Sequence, residues 1–93
     1  MLVSSKQIIL LSQEYGYAVG CFNTSNLEIT KAIIMAAEAQ KSPVIISTSE
    51  KAIEYAGLET LAAIIKEEAE KTSVPVALHL DHGKSLEMIQ KCL

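Results

Sequence analysis

The sequence contains no arginine and no tryptophan, and its aromatic residues are three tyrosines and one phenylalanine. Eight lysines face ten glutamates and a single aspartate, Asp81, for a formal net charge of −3. Phosphate-backbone binding needs a basic face and base readout leans on arginine forks, so this balance argues against a nucleic-acid partner. Long apolar runs are also absent. The longest, Ala32 to Ala37, falls far short of the roughly 20 residues that a membrane span requires, so no membrane partner is expected. Near the N-terminus the apolar stretch Ile8 to Leu11 is too short for a secretory signal, and a cytoplasmic protein is expected. The two cysteines, Cys21 and Cys92, lie far apart without metal-type spacing. In a reducing compartment they read as buried small hydrophobes. The four glycines, Gly16, Gly20, Gly57 and Gly83, are too scattered to form a phosphate-cradling loop.

What is present is an ordinary globular balance over 93 residues, with 49% hydrophobic and 20% charged residues. The length suits one small domain and excludes a complete (β/α)8 barrel, which takes about 250 residues.

Capping and proline signals divide the chain into repeating units. Ser4 and Gln7 have the spacing of a capping box ahead of Ile8, Leu11 and Tyr15, and Gly16 sits where a helix ends. Tyr17 to Phe22, rich in aromatic and β-branched residues, reads as a first strand. Ser25 and Glu28 form a second expected capping box, followed by Ile29, Ala32, Ile33, Ala36 and Ala37 at helical spacing. Pro43 stops that helix by Lys41 or Ser42. Val44-Ile45-Ile46 is a β-branched run suited to a strand buried on both faces, closed by Ser47, Thr48 and Ser49. Glu50 to Ala56 is expected as a short helix ended by Gly57. Leu58, Leu61, Ala62, Ile65 and Ala69 then trace an apolar stripe, with Lys66–Glu70 and Glu67–Lys71 as expected ion pairs. Val76 to Leu80 is a third strand, Asp81-His82-Gly83-Lys84 a polar turn, and Ser85 the cap of a last helix with Leu86, Ile89 and Leu93 on its apolar face. A leading helix followed by three strand–helix units of about 30 residues predicts an α/β fold with parallel strands and helical crossovers.

In such folds reactive groups gather at the carboxyl ends of the strands. Asn23 follows the first strand, Ser49 the second and Asp81-His82 the third. In an extended strand His79 and Asp81 point to one side, while His82 sits where the chain turns. A carboxylate beside an imidazole fits an acid/base pair, a metal ligand with a supporting carboxylate, or a polar turn leading into a helix. His79 fits a hydrogen-bonded strand histidine equally well. Asn23 and Ser49 suit turn and cap positions as well as substrate contacts. A catalytic zinc takes three protein ligands, and the chain offers at most two imidazoles.

Val74 to Gly83, VPVALHLDHG, resembles the first signature of the class II, metal-dependent fructose-bisphosphate aldolases and their tagatose-bisphosphate relatives. Tyr17 to Asn23 is similar to that family's first strand and its asparagine, and Ser42 to Ser49 to its second strand. The resemblance runs over nearly the whole chain. It implies an eight-stranded (β/α)8 TIM barrel of which residues 1–93 are the N-terminal part. It also implies a zinc ion, with reversible cleavage of fructose or tagatose 1,6-bisphosphate to dihydroxyacetone phosphate and glyceraldehyde 3-phosphate, as in glycolysis. By resemblance His82 is a zinc ligand and Asp81 the general acid/base at the C4 hydroxyl. Asn23 lies near the substrate, Ser49 holds a phosphate, and His79 has a supporting role. The remaining metal ligands and phosphate loops are expected on later strands, so the segment alone is expected to be inactive, and the full-length protein a homo-oligomer. The alternative is a non-catalytic α/β module that completes its sheet with a partner chain, motivated by the unpaired sheet edge.

Overall fold

A helix leaves its first backbone N–H groups unpaired, and short polar side chains ahead of it take them up. That rule sets most of the helix starts in the computed structural model, which describes residues 1–93. The elements are α1 (Ser5–Tyr15), β1 (Gly20–Asn23), α2 (Leu27–Gln40), β2 (Val44–Ser49), α3 (Glu50–Ala56), α4 (Leu58–Lys71), β3 (Val76–Asp81) and α5 (Leu86–Cys92). Ser4 and Gln7 close the expected capping box on α1, Ser49 caps α3 and Ser85 caps α5. The cap of α2 is Asn26 rather than Ser25: its side-chain oxygen accepts the Ile29 N–H at 2.9 Å. The Asn26 carbonyl is held at the same time by the hydroxyls of Thr24 and Thr30, which fixes the helix start one residue later than expected.

The three strands are parallel in the order β1-β2-β3. β1 starts at Gly20 rather than Tyr17, because Gly20 pairs with Val44, the first residue of β2 after Pro43. β2 runs three residues past Ile46. Ser47, Thr48 and Ser49 lie in register with His79, Leu80 and Asp81, so polar residues expected to close the strand are instead held in the ladder. The register sorts the side chains by parity. Val44, Ile46 and Val76 lie on one face with Leu78 and Leu80, and there they meet Ile34, Ile53, Leu61, Ile65 and Ala69 from the helices. This is the core, and its fully buried helical residues come from α2, α3 and α4. The opposite face carries Cys21, Asn23, Ser47, Ser49, His79 and Asp81. Ser47 and Ala77 are buried on this face, while Cys21, on the edge strand β1, is exposed rather than buried as expected. Its thiol instead contacts the Ser47 hydroxyl at 2.8 Å.

Two helices present a different face from the one the spacing predicts. In α2 the buried positions are Thr30, Ile34 and Ala37, while Ile29, Ala32 and Ala36 look outward over the edge of β1. The apolar stripe of this helix is wider than a three-stranded layer can cover, so half of it, with Tyr17 and Phe22, lines an open groove. In α5 Met88 and Cys92 pack on the core, whereas Leu86 and Leu93 are exposed. In α1 only Ile8 of the expected face is buried. The Lys66–Glu70 pair does not form, while Glu67–Lys71 does at 2.9 Å and Glu87–Lys91 at 2.8 Å. Helical pairs with the acid N-terminal to the base have the better geometry, and Lys66–Glu70 is in the reverse order.

Candidate functional site

The site is built from the carboxyl ends of all three strands. Parallel strands in register align these ends along one rim, so residues far apart in sequence become neighbours there. Asn23, the last residue of β1, donates its side-chain N–H to Asp81 Oδ2, at the end of β3, over 3.0 Å. The contact passes across β2 above Ser47, the register partner of both Asn23 and His79. The other carboxylate oxygen, Oδ1, lies 3.7 Å from His82 Nε2. Asp81 is therefore oriented from one side and faces an imidazole on the other. Its side chain is 32% exposed and that of His82 is 83% exposed, so the carboxylate is sheltered while the imidazole stands open.

His82 adopts a left-handed backbone conformation, φ 53°. Histidine is among the non-glycine residues that tolerate this region best, and such positions concentrate at functional turns. The residue leaves the strand here and re-aims its ring above the rim. His79 lies on the same sheet face as Asp81, one pleat lower, and is exposed with no side-chain hydrogen bond. Ser49, the register partner of Asp81, uses its hydroxyl oxygen to accept the Ala52 N–H at 3.2 Å and keeps its own proton free for a second partner.

All five sequence-derived candidates thus share one side of the sheet or its rim. Asn23, Asp81 and His82 are brought together directly, Ser49 sits beside Asp81 in register, and His79 stays apart from them. Glu50 was not anticipated. Its carboxylate accepts the Lys84 N–H at 2.7 Å, joining the start of α3 to the turn after β3. An acidic residue directly after a strand end is the only sequence signal for it, because its partner lies 34 positions away.

As a metal centre the arrangement is partial. No three His, Cys, Asp or Glu side chains converge, and His82 is the one open imidazole at the rim. A catalytic zinc takes three protein ligands, and His82 is a side chain here that could supply one of them.

The family model described as fructose-bisphosphate aldolase class-II matches residues 3–93. The chain is 50% identical to a probable fructose-bisphosphate aldolase of Bacillus subtilis, over 99% of this chain and 33% of that protein. It is 44% identical to a 6-phospho-5-dehydro-2-deoxy-D-gluconate aldolase of Bacillus licheniformis, over 98% of this chain and 32% of that protein. The crystal structure of the YdjI aldolase from Escherichia coli K12 superposes with a TM-score of 0.90 at 35% identity, covering 98% of this chain and 36% of that one. The chain spans about a third of the length of the curated relatives it matches. The aldolase structures matched are TIM barrels, and the three parallel strands and five helices are a sector of that architecture. With the family match covering all but the first two residues, the chain belongs to the class II fructose-bisphosphate aldolase family.

Proposed function

We propose that residues 1–93 contribute the acid/base carboxylate and one metal ligand to a ketose-bisphosphate aldolase, acting as part of a single barrel domain. Cleavage removes the proton of the C4 hydroxyl and breaks the C3–C4 bond, whose electron pair stays on the three-carbon ketone phosphate as an enediolate. C4 leaves as the aldehyde. Asp81 is the group that takes the C4 proton and returns one in the reverse direction. The amide of Asn23 holds one carboxylate oxygen so that the other is presented toward the substrate side. A positioned carboxylate of this kind contributes roughly 10²–10⁴ in rate. His82 offers its open imidazole to a divalent ion. Zinc, when bound, supplies a Lewis acid that spreads the enediolate charge. Ser49 donates its free hydroxyl proton to a phosphate oxygen of the substrate, and His79 lines the approach below Asp81.

The observation that carries this reading is the 3.0 Å contact from Asn23 to Asp81, which orients the sole aspartate beside an exposed imidazole at the rim. The substrate class is a phosphorylated ketose, and fructose 1,6-bisphosphate is the first one to assay. The test is Asp81→Ala in the whole protein, with product formation followed by a coupled assay. Cleavage should fall by roughly 10²–10⁴ while zinc content is kept. Parent-rate cleavage by that variant would remove Asp81 from the mechanism.

A further inference from the structure

The turn that carries His82 has little of its own to hold it. Asp81 ends β3, Leu86 begins α5, and the residues between are exposed. Outside the helices and strands, no backbone–backbone hydrogen bond involves His82, Gly83 or Lys84. His82 is in a left-handed conformation that the local chain does not favour by itself. Gly83 packs close to the Leu80 and Ile89 side chains, and one hydrogen bond ties the turn to a distant part of the chain: Glu50 Oε1 accepts the Lys84 N–H at 2.7 Å. Glu50 is itself well placed to be rigid. It is the first residue of α3, directly after Ser49, whose hydroxyl caps that helix, and Ser49 is the register partner of Asp81. A carboxylate accepting a backbone N–H makes a charge-assisted bond, stronger than a neutral one.

We infer that Glu50 is a positioning residue, which reaches from the end of β2 to Lys84 and sets the turn that aims the His82 imidazole. It touches neither the substrate nor the reacting atoms. Its effect runs through the backbone, two residues beyond His82, and it rests on the reading of His82 as a metal donor. Partners that orient a metal ligand without binding the metal are commonly worth roughly 10–100-fold in metal affinity or activity.

The test compares the parent, Glu50→Gln and Glu50→Ala in the whole protein. Three quantities are read: hydrogen–deuterium exchange of the peptide covering residues 82–86, Zn2+ affinity by chelator competition, and kcat with KM. Glu50→Ala should speed exchange in that peptide, weaken Zn2+ binding by roughly 10–100-fold and lower kcat more than it raises KM. Glu50→Gln keeps an acceptor oxygen and should recover most of each. Parent-like exchange in Glu50→Ala, or faster exchange with unchanged Zn2+ affinity, overturns the inference. So does a Gln variant as impaired as the Ala variant at matched thermal stability. If the parent itself neither binds Zn2+ nor cleaves a ketose phosphate, the aldolase reading fails, while the exchange data still report on the Glu50–Lys84 contact.

Discussion

At the scale of single residues, two side chains sit in the left-handed region for different reasons. Lys41, φ 50°, ends α2, and its N–H reaches back to the Ala37 and Glu38 carbonyls, an ordinary helix stop before Ser42 and Pro43. His82, φ 53°, ends a strand and serves no cap. Relief of the side-chain clash outweighs the entropy of a new glycine, so Lys41→Gly and His82→Gly should each stabilise the metal-free protein by ~0.5–1 kcal/mol in urea unfolding. They should part company in function. Lys41→Gly keeps cleavage at the parent rate, and His82→Gly loses it together with Zn2+ binding. A His82→Gly variant that unfolds earlier than the parent would mean that the ring contributes packing rather than chemistry.

At the scale of elements, helix α4 shows how a fold-stabilising face and a solvated face divide one segment. Leu61, Ile65 and Ala69 are buried, while Lys71 on the outside bridges Glu67 and Glu68 at 2.9 and 2.7 Å. The hydrogen bond from Lys71, and then its charge, hold the Glu67 carboxyl below the usual carboxylate range. Hydrogen bonds to Glu68 and Glu67 raise the Lys71 ammonium above its ordinary value. A depressed carboxyl stabilises above its unfolded pKa and loses that contribution as pH falls through the folded value. A raised ammonium stabilises below its unfolded pKa and loses that contribution as pH rises through the folded value. Lys71→Gln should therefore unfold slightly earlier than the parent at neutral pH, with the gap closing at both acidic and strongly alkaline pH. Lys71 and Glu67 are 56% and 71% exposed, so the gap should also shrink in high salt. Urea midpoints of both proteins across pH and salt check this, and a gap that persists in acid would point to lost packing of the lysine stem instead.

At the scale of the whole molecule, the chain packs its helices against a three-stranded sheet, with a Cα radius of gyration of 12.9 Å. The outer edge of β1 has no partner strand. Phe22, Ile29 and Tyr17 are exposed beside that edge. Unpaired edges flanked by apolar side chains favour association. The 93-residue chain taken alone should therefore increase in mean mass with concentration in light scattering, and Phe22→Lys should reduce the effect. A monomer at every concentration would mean that this edge does not drive association.

Much of this organisation was legible in the chain because it depends on local chemistry. Capping boxes, proline stops and apolar stripes act within a few residues of one another, so Ser4, Ser85, Gly57 and the stripe of α4 are where their spacing puts them. The parallel α/β fold follows from the same signals, since strand–helix repeats leave few other ways to bury the strands. The motif around Asp81 and His82 falls at the end of β3, where the strand signals put it. What depended on register was not legible. Asn23 and Asp81 meet across 58 positions and Glu50 and Lys84 across 34, contacts that exist only because the three strands are paired in step. The strand limits of β1 and β2, the outward half of α2 and the exposure of Cys21 have one shared cause. Each is decided by what lies next to a surface, and that is set by packing between elements rather than by the residues within them.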